Sequence, residues 1–164
     1  MAVIWITGFS GAGKTTIAEI LQQRLRDCNI IPILLDGDKV REVLGLTSQY
    51  SYEERKGISY KYAKLAKLIS DQGIIAIVAT ISMFEEVRQW NRANNTNYLE
   101  VYLKVSEEVR KSRDPKKLYS KASEFMVHSK DTYEEPQRPD LVFEHDESLT
   151  PKHIVESILG NIKF

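Results

Sequence analysis

Cysteine is nearly missing from this sequence: Cys28 stands alone, which excludes an internal disulfide and any cysteine-built metal cluster and fits a reducing, cytoplasmic setting. Net charge is missing as well. Lys and Arg number 23, as do Asp and Glu, so no global field draws the protein onto nucleic acid or anionic lipid, and its basic residues must act locally. Long hydrophobic runs are absent. The apolar opening at residues 1–6 is too short for a signal core and lacks a basic flank, and no segment approaches the roughly 20 apolar residues of a membrane span. Internal repeats, low-complexity segments and linkers are lacking too. The 164 residues therefore read as one domain, residues 1–164, able to bury about 70% of its unfolded surface around a single core. The expectation is a cytoplasmic protein whose partners are small molecules, with neither nucleic acid nor membrane among them.

What is present is concentrated near the start. Gly8-Phe9-Ser10-Gly11-Ala12-Gly13-Lys14-Thr15 fits GxxxxGK[ST] and follows directly on Val3-Ile4-Trp5-Ile6, an apolar run with the composition of a buried strand. Behind it, Thr15-Thr16-Ile17-Ala18-Glu19-Ile20-Leu21 carries apolar residues at helical spacing. Strand, glycine loop and helix N-terminus thus come in the order that phosphate binding needs. The glycines let backbone N–H groups turn inward around a polyphosphate, Lys14 brings a positive charge to the β- and γ-phosphates, and the Thr15 hydroxyl suits Mg²⁺. A glycine-rich turn that merely joins strand to helix is the competing account, and the flanking elements weigh against it.

A second strand is expected over residues 30–35, its Pro32 suiting a strand start or an edge. It runs into Asp36-Gly37-Asp38. Turn chemistry alone would explain that tripeptide. At the C-terminal end of a strand beside a phosphate loop, however, a carboxylate also suits holding water on Mg²⁺ or taking a proton from an attacking hydroxyl. Residues 39–46 read as a short helix carrying Arg41. Ser51 then caps a long helix reaching about Asp71, with Glu54 as its capping-box partner and Ile58, Tyr62, Leu65, Ala66 and Ile69 as its apolar stripe. Arg41 and Arg55 are either solvated charges or, near a phosphate site, planar forks for a second anionic group. The nearly continuous apolar run 74–79 suits a strand covered on both faces. A helix over 85–93 carries Arg88 and Arg92 four apart, a strand spans 98–105, and Ser106 caps the next helix. From Arg113 to Pro139 the chain is polar and charged, suiting a lid over ATP with Arg113 and Lys116 reaching its phosphates; an ordinary solvated loop is the alternative. A last strand at 140–144 and a closing helix capped by Thr150, with Pro151 at its first position, complete the chain. Strands alternating with helices imply an α/β fold with a parallel sheet between helical layers.

GFSGAGKTT, LLDGDKVR, YSYEER, AKLI, TISMF with Arg88 and Arg92, YLEVYL, RDPKKLY and YEEPQRPDL, in this order and spacing, make the sequence similar to adenylylsulfate kinases along nearly its whole length. The resemblance implies a three-layer P-loop kinase fold with a lid segment, and transfer of the ATP γ-phosphoryl group to the ribose 3′-hydroxyl of a nucleotide whose phosphate bears an activated anion. On that basis Gly8, Ser10, Gly11, Ala12, Gly13, Lys14, Thr15 and Thr16 bind ATP and Mg²⁺. Asp36 stands beside the metal and Asp38 is the base. Arg41 and Arg55 clamp the acceptor's anionic end, Tyr50 stacks on its base, and Ile81 and Ser82 line the same pocket. A homodimer is an assembly the family makes familiar. The departures fall on the acceptor side: Ile58 stands where the family has Asn, Met83 where it has Pro, Glu85 where it has Arg, and Ser123 to Asp131 lacks the family's Phe-Thr-Gly, with Phe125 as a candidate substitute. Kept ATP-side residues beside altered acceptor-side residues resemble the cytidine diphosphoramidate kinases of capsule pathways, which makes cytidine diphosphoramidate the expected acceptor and adenylylsulfate the alternative. An ATP-dependent switch or binding module is the rival from another class; it has no need of two arginines and a stacking aromatic after an Asp-Gly-Asp turn. A non-catalytic subunit that keeps the fold for assembly is a further rival, and the intact phosphate loop opposes it.

Overall fold

A computed structural model describes residues 1–46, 51–113, 133–144 and 149–163. Among these residues the chain alternates as expected: β1 (Val3–Thr7), α1 (Lys14–Asp27), β2 (Ile33–Asp36), α2 (Gly37–Val43), α3 (Tyr52–Asp71), β3 (Ala76–Ala79), α4 (Glu85–Asn94), β4 (Tyr98–Lys104), α5 (Glu107–Arg113), β5 (Leu141–Glu144) and α6 (Pro151–Asn161). The five strands form one sheet in the order β2-β3-β1-β4-β5, and every neighbouring pair is parallel. β1 is central, so the loop behind it leaves from the middle of the sheet's C-terminal edge, where open α/β sheets bind ligands.

Alternation along β1 divides the interior in two. Ile4 and Ile6 pack with Ile17, Leu21 and Leu25 of α1 and Val155 and Ile158 of α6. Val3 and Trp5 face the other way, onto Ile58, Tyr62 and Ala66 of α3 and Val87 of α4. Strands covered on both faces need apolar residues at every position, and all five residues of β1 are buried. The result is three layers, with helices on both sides of the sheet.

Several boundaries differ from expectation for local reasons. β2 begins at Ile33 rather than residue 30, because the Ile30 N–H closes the end of α1 on the Leu25 carbonyl and Pro32 has no N–H to offer a ladder. α2 begins at Gly37 instead of residue 39, since the Asp36 carboxylate caps it by accepting from the backbone N–H groups of Asp38 and Lys39. The Ser51–Glu54 capping box is present in full, and Thr150 caps α6 with Pro151 in its first turn. No helix of the described residues is long and apolar enough to cross a membrane.

Residues 133–140, the tail of the charged segment read as a lid, are tied down against α4 and β4. Glu134 donates its N–H to the Met83 carbonyl at 2.9 Å, and its carboxylate accepts the Glu85 N–H. Arg88 donates to the Glu134 carbonyl at 2.7 Å, Tyr102 donates its hydroxyl to Glu135 at 2.6 Å, and Asp140 accepts the Glu100 N–H at 2.7 Å. Arg88 and Arg92 are spent here on structure. Arg92 pairs with Glu100 at 2.9 Å and with Asp140 at 3.2 Å, while Arg88, its side chain 3% exposed, pairs with Glu85 at 2.5 Å. Glu100 is itself buried, and desolvation pushes its carboxyl above the usual range although Arg92 and Arg88 oppose the rise. Removing one member of such a network strands the others in a dry interior. Arg88→Met is expected to cost about 3 kcal/mol of unfolding free energy, measured as a lower urea midpoint at unchanged slope.

Candidate functional site

β1 ends at Thr7, and the chain turns at once through Gly8. A Cβ on Gly8 would lie 2.6 Å from the Leu103 carbonyl of β4, so only glycine fits where the loop leaves the sheet. The loop folds back on itself, with the Ala12 N–H donating to the Phe9 carbonyl at 3.2 Å and Lys14 Nζ donating to the same carbonyl at 2.8 Å. α1 starts at Lys14 with Gly13 as its N-cap and no side chain capping it. Its first N–H groups are directed at the space the loop encloses, the arrangement that suits phosphate oxygens. Gly8, Ser10, Gly11, Ala12, Gly13, Lys14, Thr15 and Thr16 thus lie in one continuous turn between sheet and helix.

The acidic turn is joined to this loop directly. Thr15 Oγ1 donates to Asp36 Oδ2 at 2.8 Å, while Asp36 Oδ1 accepts the Asp38 and Lys39 N–H groups at 3.1 and 3.3 Å. Two hard oxygens at that separation, on elements 21 residues apart in sequence, fit Mg²⁺, which takes few protein ligands and completes its shell with water and phosphate. Asp38 lies exposed in the first turn of α2, and Arg41 is in its last turn. The start of α2 is fixed from two further sides. Tyr62 donates its hydroxyl to the Gly37 carbonyl at 2.8 Å, and a Cβ on Gly37 would come within 3.0 Å of Thr80 Oγ1. Tyr62 was legible only as part of an apolar stripe; the sign of its second job is a hydroxylated ring where Leu would fill the core as well.

Ile81 and Ser82 follow β3 on the same edge. Thr7 donates its hydroxyl to the Ile81 carbonyl. Ser82 has φ of 24°, unusual for a residue with a side chain, and it is held there by hydrogen bonds of 2.9 Å with both Ser59 and Thr80. Arg55 lies in the first turn of α3. Burial raises the Tyr133 pKa, and the nearby Arg55 and Arg41 pull it back down. Tyr133 escaped the sequence reading of site residues, as did Arg110, whose guanidinium stacks 4.6 Å over the Phe9 ring and donates to the Val105 carbonyl at 3.0 Å. Arg113, three residues further along α5, is exposed. Tyr50, Lys116 and Phe125 lie outside the described residues. Among the described residues, the structure brings Asp36, Asp38, Arg41, Arg55, Ile81 and Ser82 to the edge of the sheet from which the phosphate loop springs.

The model of the adenylylsulphate kinase family matches residues 1–144. The chain belongs to the adenylylsulfate kinase family. It is 36% identical over 164 residues to a probable adenylyl-sulfate kinase of Pyrococcus abyssi, spanning 98% of this chain and 94% of that one. It is also 43% identical over 122 residues to the cytidine diphosphoramidate kinase of Campylobacter jejuni, spanning 73% of this chain and 70% of the relative. Its fold is similar to that of the Mycobacterium tuberculosis APS kinase in complex with AMPPNP and APS, with a TM-score of 0.87, 26% identity, and coverage of 97% of this chain and 95% of the other. The α/β P-loop kinase fold is thereby established, and with it an ATP-binding kinase that phosphorylates a hydroxyl group.

Two of the positions where this adenylylsulfate kinase family member departs from the family pattern have a structural account. Ile58 is 2% exposed and packs in the core with Trp5, Phe9 and Phe84. Glu85 is engaged by Arg88 and Gln89. Both residues are thus committed to packing or pairing within the fold. Tyr62 gives the site a measurable signature. Burial is the main reason its pKa is pushed up to about 12, with Asp38 and Asp36 adding to the rise and Arg41 opposing it. The folded state therefore keeps a proton that the unfolded state releases near pH 10, so this stabilising contribution is lost as pH rises from about 10 to 12. Tyr62→Phe is expected to cost about 1 kcal/mol at neutral pH and to flatten the fall in stability across that window, followed by chemical denaturation at a series of pH values.

Proposed function

We propose that the protein transfers the γ-phosphoryl group of ATP to the ribose 3′-hydroxyl of a small nucleotide bearing an activated anion, with cytidine diphosphoramidate as the acceptor. The observation that carries the reaction class is the Thr15–Asp36 hydrogen bond, which makes the phosphate loop and the acidic turn parts of one site. In this reading Gly8 to Thr16 cradle the triphosphate, with Arg113 added from α5. Thr15 and Asp36 hold Mg²⁺, which when bound neutralises charge across the β- and γ-phosphates.

Asp38 has the place of the base. It lies two residues beyond the metal-side carboxylate and is exposed at the start of α2, on the sheet edge along which the acceptor hydroxyl would approach. The oxygen of the 3′-hydroxyl forms a bond to the γ-phosphorus as the bond from that phosphorus to the β–γ bridging oxygen breaks. The hydroxyl proton passes to Asp38 and the electron pair leaves with ADP. Lys14 and the loop N–H groups stabilise the charge on the moving phosphoryl group, so that no covalent enzyme intermediate is needed. Arg41 and Arg55 hold the acceptor's anionic end, Ile81 and Ser82 line its pocket, and Tyr50 stacks on its base.

The choice of acceptor rests on the acceptor-side departures. Ile58 replaces a polar contact with a buried apolar side chain, Glu85 spends its charge on Arg88, and the Campylobacter relative that shares 43% identity acts, by its name, on cytidine diphosphoramidate. Adenylylsulfate is the alternative, favoured by the likeness to the Pyrococcus kinase across nearly the whole chain. Steady-state rates with ATP and each acceptor separate the two. Cytidine diphosphoramidate is expected to have the higher kcat/KM, and a hundredfold preference for adenylylsulfate, about 3 kcal/mol in transition-state binding, would overturn the assignment. Asp38→Asn is expected to lower kcat about a hundredfold or more with little change in ATP affinity by calorimetry; near-normal turnover would remove Asp38 from the role of base. Lys14→Ala should depress kcat at least as far.

A further inference from the structure

Phe9 brings a large apolar ring into a loop otherwise made of small and hydrophilic residues. Its carbonyl is the point on which that loop closes, accepting the Ala12 N–H at 3.2 Å and Lys14 Nζ at 2.8 Å. Its ring is buried, and the Arg110 guanidinium of α5 lies over it, 4.6 Å from the ring centre. That guanidinium is itself held in place, since Arg110 Nε donates to the Val105 carbonyl just past β4 at 3.0 Å. The same residue meets the loop a second time. A Cβ on Gly11 would lie 3.1 Å from the Arg110 carbonyl, so the backbone of α5 runs directly against the loop. Lys111 and Arg113 of the same helix are exposed, whereas Arg110 is buried. Its charge is thus placed on an aromatic face out of water, the setting in which such a contact is strongest.

We infer that Arg110 is a positioning residue for ATP: by bearing on the Phe9 ring from α5 it fixes the carbonyl on which the phosphate loop closes, and so presets the loop N–H groups and Lys14 for the triphosphate. The loop needs such a hold. Gly11 and Gly13 have φ of 81° and 90°, and glycine at such positions leaves the free chain many alternatives. A loop ordered only by its ligand would charge that ordering to ATP affinity, whereas a loop ordered by its own fold has met the cost beforehand. Arginine suits the task because its planar fork stacks on a ring face while one of its N–H groups stays pinned to a carbonyl. Once the triphosphate is seated, its own oxygens hold the loop. The contribution of Arg110 therefore falls on ATP binding rather than on the chemical step.

This inference rests on the reading that residues 8–16 seat the triphosphate, and Lys14→Ala tests that reading separately. Arg110→Met keeps the apolar stem of the side chain and removes the guanidinium. Phe9→Leu keeps apolar bulk and removes the ring, which gives the same test from the partner residue should the first variant not fold. Kinetics are run on the full chain with ATP and whichever of cytidine diphosphoramidate and adenylylsulfate the unaltered protein phosphorylates faster, for both variants and their combination. The expected result for Arg110→Met is a rise of about fivefold in ATP KM, with kcat and acceptor KM close to normal. Phe9→Leu should raise ATP KM by a similar factor, and the double variant should be no worse than the worse single one, because the two residues act as one contact. A purely structural role would lower the thermal midpoint and leave the ratio of the two KM values where it is. An ATP KM within about twofold of normal in either variant that folds, while Lys14→Ala is impaired, overturns the inference and leaves the proposed function standing. Equal rises in ATP and acceptor KM, a fall in kcat of Arg110→Met with its ATP KM unmoved, or additive losses in the double variant overturn it as well. Lys14→Ala with normal ATP KM and kcat removes both the inference and the seat assigned to the triphosphate.

Discussion

The Asp36 carboxylate is the constraint on which the site depends. One of its oxygens accepts the first N–H groups of α2, and the other accepts the Thr15 hydroxyl from α1. A carboxylate is among the few groups able to do both, since it offers several lone-pair positions on two atoms and needs no donor of its own. β2 is an edge strand of only four residues, with Ile33 38% exposed and Ile31 just before it 77% exposed, and its packing alone gives it little hold on the loop two strands away. The carboxylate supplies that hold. It sets the distance between the phosphate loop and the acidic turn, the kind of spacing on which phosphoryl transfer depends more than on any reactive group.

Around that link the same edge of the sheet is reinforced by hydroxyls. Thr7 ties the end of β1 to Ile81, Thr80 and Ser59 hold Ser82 in its uncommon backbone conformation, and Tyr62 fixes Gly37. Apart from the local Thr80–Ser82 pair, these are neutral contacts between elements distant in sequence, and they join the parts of this edge without adding charge near the phosphate loop. The charged residues of α4 work elsewhere, binding the chain at 133–140 to the body of the domain through Glu85, Glu100 and Asp140. Hydroxyls thus shape the mouth, while ion pairs secure the segment that closes over the aromatic row of Phe9, Tyr133 and Phe84.

Much of this was legible in the chain, for identifiable reasons. The phosphate loop could be placed because glycine, lysine and threonine there each follow from one local requirement, and the α/β class because β3 is apolar throughout and β1 is apolar up to Thr7, while α1 and α3 carry stripes. Ser51, Glu54, Thr150 and Pro151 announced their helix starts through rules that act within four residues. What escaped depends on contacts across the fold. Asp36 could be set beside the metal from its place after β2, but its direct bond to Thr15 and its cap on α2 could not be read there. Tyr62 counted as apolar because burial and hydrogen bonding are compatible in one ring. Arg88 and Arg92 formed an evident pair on one helix face, yet their acidic partners Glu100 and Asp140 come from later in the chain. Arg110 and Tyr133 owe their positions to Phe9, more than 100 residues before them.

The central location of β1 bears on how the molecule is made. Its two partners, β3 and β4, pair with it through residues 76–79 and 98–102, so β1, made before either of them, waits longest among the described strands for its neighbours. At synthesis rates of about 5 to 20 residues per second, Trp5 and the isoleucines beside it wait on the order of five to twenty seconds for that cover. During this interval the nascent chain carries an unpaired, largely apolar strand, an edge of the kind that invites pairing with other chains. The architecture that sets the phosphate loop at the heart of the sheet therefore also leaves β1 waiting longest for its cover.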